Sequence, residues 1–590
     1  ITGPVLTVSL SKISSNMDLQ YKLLLYLDTK RVLTEMGNSC ESFLDECFDK
    51  ATNKFPPLRY LLEIDVMDLF NVFPDLGDFL IQEPLQFQYI CNKILFACIN
   101  SIDSENKNNL QLMQVATNLR LKCVPQFLSN GKQPYYGGIM LKKGLLIDIS
   151  KPNSYVFHTV WSCPEACEGN EVILQFIPKT PPKCYVCRSV LFENSGLRRC
   201  GEKVTATFTS NDEFLPRKYF IVDDLISKLI VGNMYNLYVV VLKNKKEVWS
   251  VEKSVILPAP ITYPIPEDIG QLFETCEGVP WKFIYYLAST IGVRVCPLHC
   301  FMHVKISLLL SLVSLKANSL LGSSIIHILV TGHETKYVSE IMNVATKFAN
   351  ASVYLGPHAN VQLSMIGGSA GICILPLSLY RSNQKQLAFI LKTLETDKIT
   401  IENSEIQLKC AVWALSNESN KIPFNNMSSV FHIICRDYGQ DYDDIAEFML
   451  KGALEQQKKT KDEETAINNL MIYINLTAGI NVSLDKSAEK LLKSYFLSAR
   501  KESSKVATIG SLGALVTVSL TSARLCRRTV TTIDDALFSI WLHVCGSPQP
   551  RFAPEEYLQT PPCIYELEQN MTKFKYWLEQ FTGINFTESK

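Results

Sequence analysis

Four cysteines in one short stretch offer the clearest chemistry in the chain. In WSCPEACEGNEVILQFIPKTPPKCYVC they fall at Cys163, Cys167, Cys184 and Cys187, a C-x3-C pair and a C-x2-C pair sixteen residues apart. Two close pairs joined by a hairpin present four thiolates in a tetrahedron, the geometry a structural Zn²⁺ prefers. EVILQFIP, between the pairs, alternates enough to be a strand, and Pro181-Pro182 sets up the second knuckle. The alternative is four unpaired thiols or disulfides. Cys200, in GLRRCG, is a weaker candidate and is placed in a returning strand. A closed site of this kind has no water-bearing position, so it supplies folding energy and an interaction surface, not catalysis.

A second stretch, HILVTGHETKYVSE (residues 327–340), has the order of a phosphate-binding loop. The apolar run Ile328-Leu329-Val330 meets Thr331-Gly332, and YVSEIMNVATKFA reads as a helix. A P-loop needs several glycine-like positions, so that backbone N–H groups ring the phosphates, and then Lys-Ser or Lys-Thr. Here Gly332 stands alone, Lys336 comes early, and Ser339 follows Val338 where a lysine belongs. The stretch is either a nucleotide loop that has lost its chemistry or a chance strand–turn–helix, and taken alone it favours chance. The rest of the chain decides.

The 590 residues are too many for one core, so three or four domains are expected. The first residue is Ile, which puts the natural N-terminus upstream as an expectation, and no secretory pattern is visible. With 58 basic and 58 acidic residues the formal net charge is zero, so any nucleic-acid contact must come from local patches and not from bulk charge. The longest apolar run near the middle, Ile306 to Leu315, is ten residues and too short to span a bilayer, so no membrane partner is expected. Most of the nineteen cysteines stand singly in apolar segments, such as Cys373 and Cys435, and read as buried free thiols in a reducing compartment. The N-x-S/T triplets, such as that at Asn475, are then noise.

Residues 1–100 read as helical, with Pro74 and Pro84 punctuating the helices. Around the cysteines, short runs such as VATNLRLKC, GGIMLKKGLLIDIS, VTATFTSN, RKYFIVDDLI and MYNLYVVVLK read as strands. Roughly six of them with an inserted hairpin suggest a small oligonucleotide-binding (OB-fold) barrel. Lys243, Lys245 and Lys246 fall between two such runs, either as phosphate contacts at a hairpin tip or as a solvated turn. A proline-rich linker, LPAPITYPIPEDIG, leads to mostly helical sequence. Then ASVYLG, AGICIL and CAVWALSN read as buried strands and ITIENSEIQL as a hairpin, an α/β alternation with crossover helices. EQQKKTKDEE is an exposed linker, and 465–543 is helical.

This order resembles the minichromosome maintenance (MCM) helicase family. IDVMDLFNVFPDLGDFLIQEP is similar to the family's N-terminal helical segment. Pro216-Arg217, Asp223-Asp224-Leu225 and Gly232 match the segment after its zinc hairpin, and CAVWALSN resembles the strand ending in the sensor-1 asparagine, here Asn417. LGALVTVSLTSARLCRRTVTTIDDALFSIWL is close to its C-terminal lid helices, and the likeness covers about residues 60 to 545. It implies a multidomain α/β plus all-β chain: helical domain 1–105, OB-fold 106–262 with a zinc hairpin at 163–187, linker 263–290, degenerate AAA+ core 291–454, helical lid 465–545 and tail 546–590. It also implies structural Zn, and DNA as a partner, single- or double-stranded and read without sequence preference. Arg217 and the three lysines occupy the DNA-facing place.

The departures from the family all lie in the nucleotide chemistry. The family's loop resembles G-D-P-x-x-A-K-S; here it is Gly332-His-Glu-Thr-Lys336-Tyr-Val-Ser339. The strand that should end in Asp-Glu runs into Pro376-Leu377. The S-R-F-D pattern is Ser429-Val430-Phe431-His432, the sensor-2 arginine falls at Gly510, and the pre-sensor hairpin is shortened to ENSEIQLK. Phosphoryl transfer is nearly all positioning and charge neutralisation, so these losses are expected to remove hydrolysis. The pattern looks like a divergent branch of the family associated with meiotic recombination and double-strand-break repair. The expectation is a nuclear, non-catalytic, DNA-binding scaffold acting with other MCM-type or meiotic recombination proteins, with ATP binding doubtful. The alternative is an ATP-binding or ATP-hydrolysing subunit of an MCM-type complex.

Overall fold

The computed structural model describes residues 18–584 apart from 48–54, 103–109, 126–137, 166, 168–170, 211–212, 242–245, 255–263, 333–334, 357–358, 378–383, 402–403, 417–429, 437–441, 455–460, 504–506, 548–550 and 562. The chain divides into two units, Ile1–Ser254 and Val255–Lys590.

The first unit opens with helices α1 (18–29), α2 (Val32–Glu46), α3 (Val66–Val72), α4 (Pro74–Gln82) and α5 (Pro84–Ser101). Pro74 and Pro84 each stand in a first helical turn, where the missing N–H has no intrahelical partner to lose. Asp65 caps α3 by accepting from the Asp68 N–H at 3.0 Å. Along α5 the buried side chains Phe87, Ile90, Cys91, Ile94 and Leu95 recur at helical spacing and face the core.

The all-helical reading fails at Leu58–Asp65, which is strand β1, paired in parallel with β2 (Val115–Lys122). Its apolar residues at 58, 61, 62 and 64 mimic helical spacing, and the partner that makes it a strand lies over fifty residues away. Equally, VATNLRLKC does not enter the barrel as a ladder strand; β2 pairs with β1.

Strands β3 (Ile139–Ile149), β7 (Arg199–Ser210), β8 (Glu213–Val222), β9 (Met234–Val241) and β10 (Lys246–Lys253) close into a ring. β3 pairs with both β7 and β9, and the closure is completed by a parallel contact of β8 with β10, Phe220 opposite Glu247. Along the chain the ring order is first–second–third–fifth–fourth, an OB-like barrel. Inward residues alternate as the pleat requires, with Val204, Ala206 and Phe208 on β7 and Tyr235, Leu237 and Val239 on β9. Between β3 and β7 the chain inserts β4 (Asn153–Ser162), β5 (Glu171–Leu174) and β6 (Phe192–Glu193), and both β5 and β6 pair with the end of β4.

Two ion pairs fasten β1 and β2 to this barrel. Arg59 on β1 reaches Asp223 at 2.7 Å, and Arg120 on β2 grips Asp224 with two donors, its Nε at 3.0 Å. Arg120 is 5% exposed and also donates to the Trp249 carbonyl, so its charge is fully matched.

In the second unit a five-stranded sheet runs in the order β12 (Ser352–Tyr354), β13 (Ile372–Pro376), β16 (Ala411–Ser416), β11 (Ile328–Thr331), β17 (Ile433–Arg436), every pairing parallel. β13, β16 and β11 are buried along their length, whereas β12 is a half-exposed edge and not the buried strand the sequence suggests. β14 (Lys398–Ile401) and β15 (Ser404–Gln407) form the hairpin read in ITIENSEIQL.

Of the span read as a linker, Glu267–Thr275 (α6) and Pro280–Ser289 (α7) are helices, and Trp281, Phe283 and Ile284 are buried in the core. The apolar run at 306–315 is part of α8 (Met302–Leu321), twenty residues long and apolar enough to cross a membrane by composition, yet mostly enclosed by neighbouring helices and the sheet. Buried Lys305 interrupts its hydropathy; its Nζ donates to the carbonyls of Pro297 and Leu298, each at 3.1 Å. Helices α9 (Thr335–Ala345), α10 (Val361–Gly367) and α11 (Gln384–Thr396) lie among the strands in sequence. They are followed by α12 (Tyr442–Leu454), α13 (Lys461–Ala478), α14 (Lys486–Glu502), α15 (Ile509–Leu525), α16 (Ile533–Gly546) and α17 (Ile564–Thr582). The last lies in the supposed tail, but Leu567, Met571, Phe574 and Leu578 bury it in the core.

Candidate functional site

The inserted hairpin brings the four cysteines to one point. Cys163 follows directly on β4, and the second knuckle is closed by a bridge between Lys183 and Val190. None of the four cysteines is in a disulfide, and their sulfurs lie within 4.8 Å of one another, Cys163 and Cys187 at 3.4 Å. A tetrahedral Zn²⁺ with Zn–S near 2.3 Å sets its sulfurs about 3.8 Å apart, so the donor set fits a metal with little movement. Cys187 donates its backbone N–H to Cys184 Sγ at 3.3 Å, and Arg188 takes a left-handed conformation that turns the knuckle.

The electrostatics agree with a cation site. The Ser189 hydroxyl and N–H draw the Cys187 thiol down to about 6, while the neighbouring Cys187 and partial burial push Cys167 up to about 12. Four packed thiols do not all ionise together; a dication removes that conflict. Trp161 and Leu191 pack against the cluster, whereas Tyr185, at the knuckle tip, is 93% exposed. Cys200 lies on β7, outside the cluster.

The proposed DNA contacts are only partly described. Arg217 is an exposed residue of β8, and Lys246 opens β10. Because β8 and β10 run parallel with Phe220 opposite Glu247, both cations stand towards the same end of adjacent strands. Lys243 and Lys245 lie outside the described residues, in the connection between the antiparallel strands β9 and β10.

At the carboxyl end of the parallel sheet, β11 stops at Thr331 and Gly332 turns with φ +83°, which suits a residue without Cβ. Its N–H donates to the Ser416 carbonyl at the end of β16, at 3.2 Å. Helix α9 begins at Thr335. Lys336 is exposed and Ser339 half-buried, but Val338, at the lysine position, is wholly buried in the core with Ile341 and Met342. Pro376 and Leu377, where carboxylates would hold magnesium, are buried apolar residues. Asn417 and Ser429 lie outside the described residues. His432 immediately precedes β17, at the amino end of the sheet where Gly332 is at the carboxyl end, and packs on His327 with ring centroids 5.5 Å apart; burial draws its pKa down to about 3. Gly510 is exposed in the first turn of α15.

What the sequence did not announce is the pairing of Arg59 and Arg120 with Asp223 and Asp224. An arginine inside the apolar alternation of VATNLRLKC is the one local sign that a buried partner exists.

Residues 19–124 match the family described as "MCMDC2, N-terminal domain". Minichromosome maintenance domain-containing protein 2 of Mus musculus is 19% identical across 88% of this chain and 89% of the relative, and that of Rattus norvegicus is 19% identical across 87% and 89%. The Homo sapiens protein of the same name is 20% identical across 56% of this chain and 53% of its own length. Over most of its length the chain is similar to minichromosome maintenance domain-containing protein 2.

Proposed function

We propose that this chain is a non-catalytic MCM-like scaffold that binds DNA in the nucleus and acts in meiotic homologous recombination and double-strand-break repair, with other MCM-type or recombination proteins as partners. The four-cysteine hairpin holds a structural Zn²⁺, which fixes the knuckles and supplies no reaction. The OB-like barrel carries the DNA contacts, through Arg217, Lys243, Lys245 and Lys246, by charge and without sequence readout. The parallel sheet is a degenerate AAA+ core; the order of its strands, with the first flanked by the fourth and fifth, supports that reading.

The observation that carries the non-catalytic reading is the apolar filling at the first turns of α9 and the end of β13. Val338, Pro376 and Leu377 are packed into the core, where an active site would place an ammonium and two carboxylates. None of these three side chains can neutralise a γ-phosphate or polarise water. Lys336 points away from this core as an exposed side chain, so it carries little energy. The test is ATP turnover and DNA binding by the purified full chain. Turnover should not exceed background, and Lys336→Ala should leave DNA binding unchanged. Wild-type turnover that Lys336→Ala abolishes would sink the proposal.

A further inference from the structure

The outer face of α14 carries one sign of charge. Lys486, Lys490, Lys493 and Arg500 are all exposed on it, as is Lys501 beside them. With Leu497 they follow one another at steps of four, three, four and three residues. An α-helix sets side chains at those steps in one nearly straight row, about 21 Å long from Lys486 to Arg500. Helical spacing puts Glu489 at the margin of the row and Glu502 off it.

Elsewhere exposed lysines on helices are neutralised along the same helix, Lys22 by Asp18 and Lys451 by Glu447, each at four-residue spacing. Among the described residues the lysines of α14 have no ion pair, and the Arg500 guanidinium stands over the Phe496 ring at 5.9 Å. Like charges three and four residues apart repel, so the row destabilises its own helix. The helix stands because its other face is buried, with Leu491, Leu492, Tyr495 and Phe496 in the core. In a chain whose basic and acidic residues balance at 58 each, such a row is a local feature and not a consequence of composition. An anionic partner laid along it relieves the repulsion.

Two features choose that partner. Four-and-three spacing is that of a seam between two helices lying side by side, so a second helix with carboxylates at the same spacing meets each cation in turn. Leu497, 50% exposed, interrupts the row. A phosphate backbone gains nothing from a leucine, whereas an amphipathic helix sets an apolar side chain on it.

We propose that α14 docks an acidic amphipathic helix of a partner protein, with carboxylates on Lys486, Lys490, Lys493 and Arg500 and an apolar side chain on Leu497. Docking here rests on the scaffold reading only for the presence of a protein partner, and not on DNA binding, whose cations lie in the first unit.

The experiment uses the full chain at low salt, where surface charge is least screened, and three probes. The first is an alanine-based helical peptide with glutamates and one leucine at four-and-three spacing. The second has the same composition with its glutamates spread round the helix, and the third is a short DNA duplex. The seam peptide should bind about tenfold tighter than the spread one, and added salt should weaken it. Lys490→Glu together with Lys493→Glu should abolish that preference and transfer it to a seam peptide with lysine in place of glutamate. Both positions are exposed, so the fold is not at risk, and an unchanged circular dichroism spectrum checks this. Leu497→Ser should weaken the seam peptide about threefold without changing its salt dependence. Equal affinity for the two peptides, or no binding of either, overturns the proposal and leaves the DNA-binding reading standing where the duplex still binds. Seam preference without duplex binding upholds the docking face and removes DNA binding alone. A preference that persists in the doubly reversed chain puts the peptide elsewhere and overturns the proposal. Duplex binding or self-association that the double reversal abolishes also overturns it, by giving the face to nucleic acid or to a second copy.

Discussion

The cysteine hairpin and the turn at Gly332 are both compact, locally encoded motifs, but only the first retains the atoms its chemistry needs. At the hairpin the four sulfurs lie within 4.8 Å of one another and nothing apolar separates them. At the carboxyl end of the parallel sheet the strand, turn and helix stand in place, while Val338 and Leu377, where the loop and strand they resemble carry charged groups, are core. A structural metal site cannot lose a ligand without losing the fold it holds, because its binding energy is folding energy. A nucleotide site can lose its charges and keep its frame, because apolar residues at the strand ends pack as well as, or better than, the polar set they replace.

This contrast can be broken at several points. The largest expected effect is at the hairpin. Metal analysis should find about one zinc per chain, and Cys184→Ala or chelation should unfold residues 163–193, at a cost on the order of 10 kcal/mol of apparent stability. Limited proteolysis of the hairpin reads this directly; a chain that keeps its hairpin without metal would show the thiols to be structural by themselves.

Next is Val338→Lys, which places a lysine where the phosphate-binding loop that this stretch resembles has one. It should destabilise the second unit by about 3 to 5 kcal/mol in urea, since the ammonium enters a filled core with no carboxylate beside it. Gain of ATP binding at unchanged stability would instead mean that the frame still holds a nucleotide pocket.

Smaller is the effect of Arg120→Ala, about 3 kcal/mol, because it strands Asp224 and the Trp249 carbonyl. Burial raises the Asp224 carboxyl, but hydrogen bonds and charge from Arg120 more than offset this and hold it below the usual range. A depressed carboxyl contributes stability that is complete above its unfolded value, about 3.9, and is lost as pH falls through its lower folded value. Acid unfolding of the first unit should therefore show a component below about pH 4 that Arg120→Ala removes.

Replacing Lys243, Lys245 and Lys246 with Ala should weaken DNA binding and flatten its salt dependence by roughly one unit per lost phosphate contact. An unchanged slope would make that connection a solvated turn. The smallest effect is expected from Lys336→Ala: within about 0.5 kcal/mol of wild type in stability, as for an exposed side chain away from any buried feature.

Much of this was legible in order of sequence, for particular reasons. The cysteine spacing alone brings the second pair to a knuckle, and the alternation of VTATF and MYNLYVV alone marks strands, because both signals are complete within a few residues. Pro74 and Pro84 mark helix starts for the same reason. Leu58–Asp65 was misread because its apolar spacing satisfies a helix as well as a strand, and its parallel partner at Val115–Lys122 is invisible to any local window. The helices at 267–289 were hidden by prolines that sit at their starts as well as in linkers.

The sequence by itself therefore determined which residues could hold a metal, where chain direction changes, and that the lysine and carboxylates of a nucleotide site are missing. Tertiary structure decided the rest. It closed the barrel through the parallel contact of β8 with β10, sank Lys305 in a core helix beside the carbonyls that satisfy it, matched Arg59 and Arg120 to adjacent aspartates, and left His158 Nε2 without a donor among the described residues. Each of these depends on which distant segments meet. Burial and hydrogen-bond partnership belong to pairs of segments, and no single stretch of sequence carries both members.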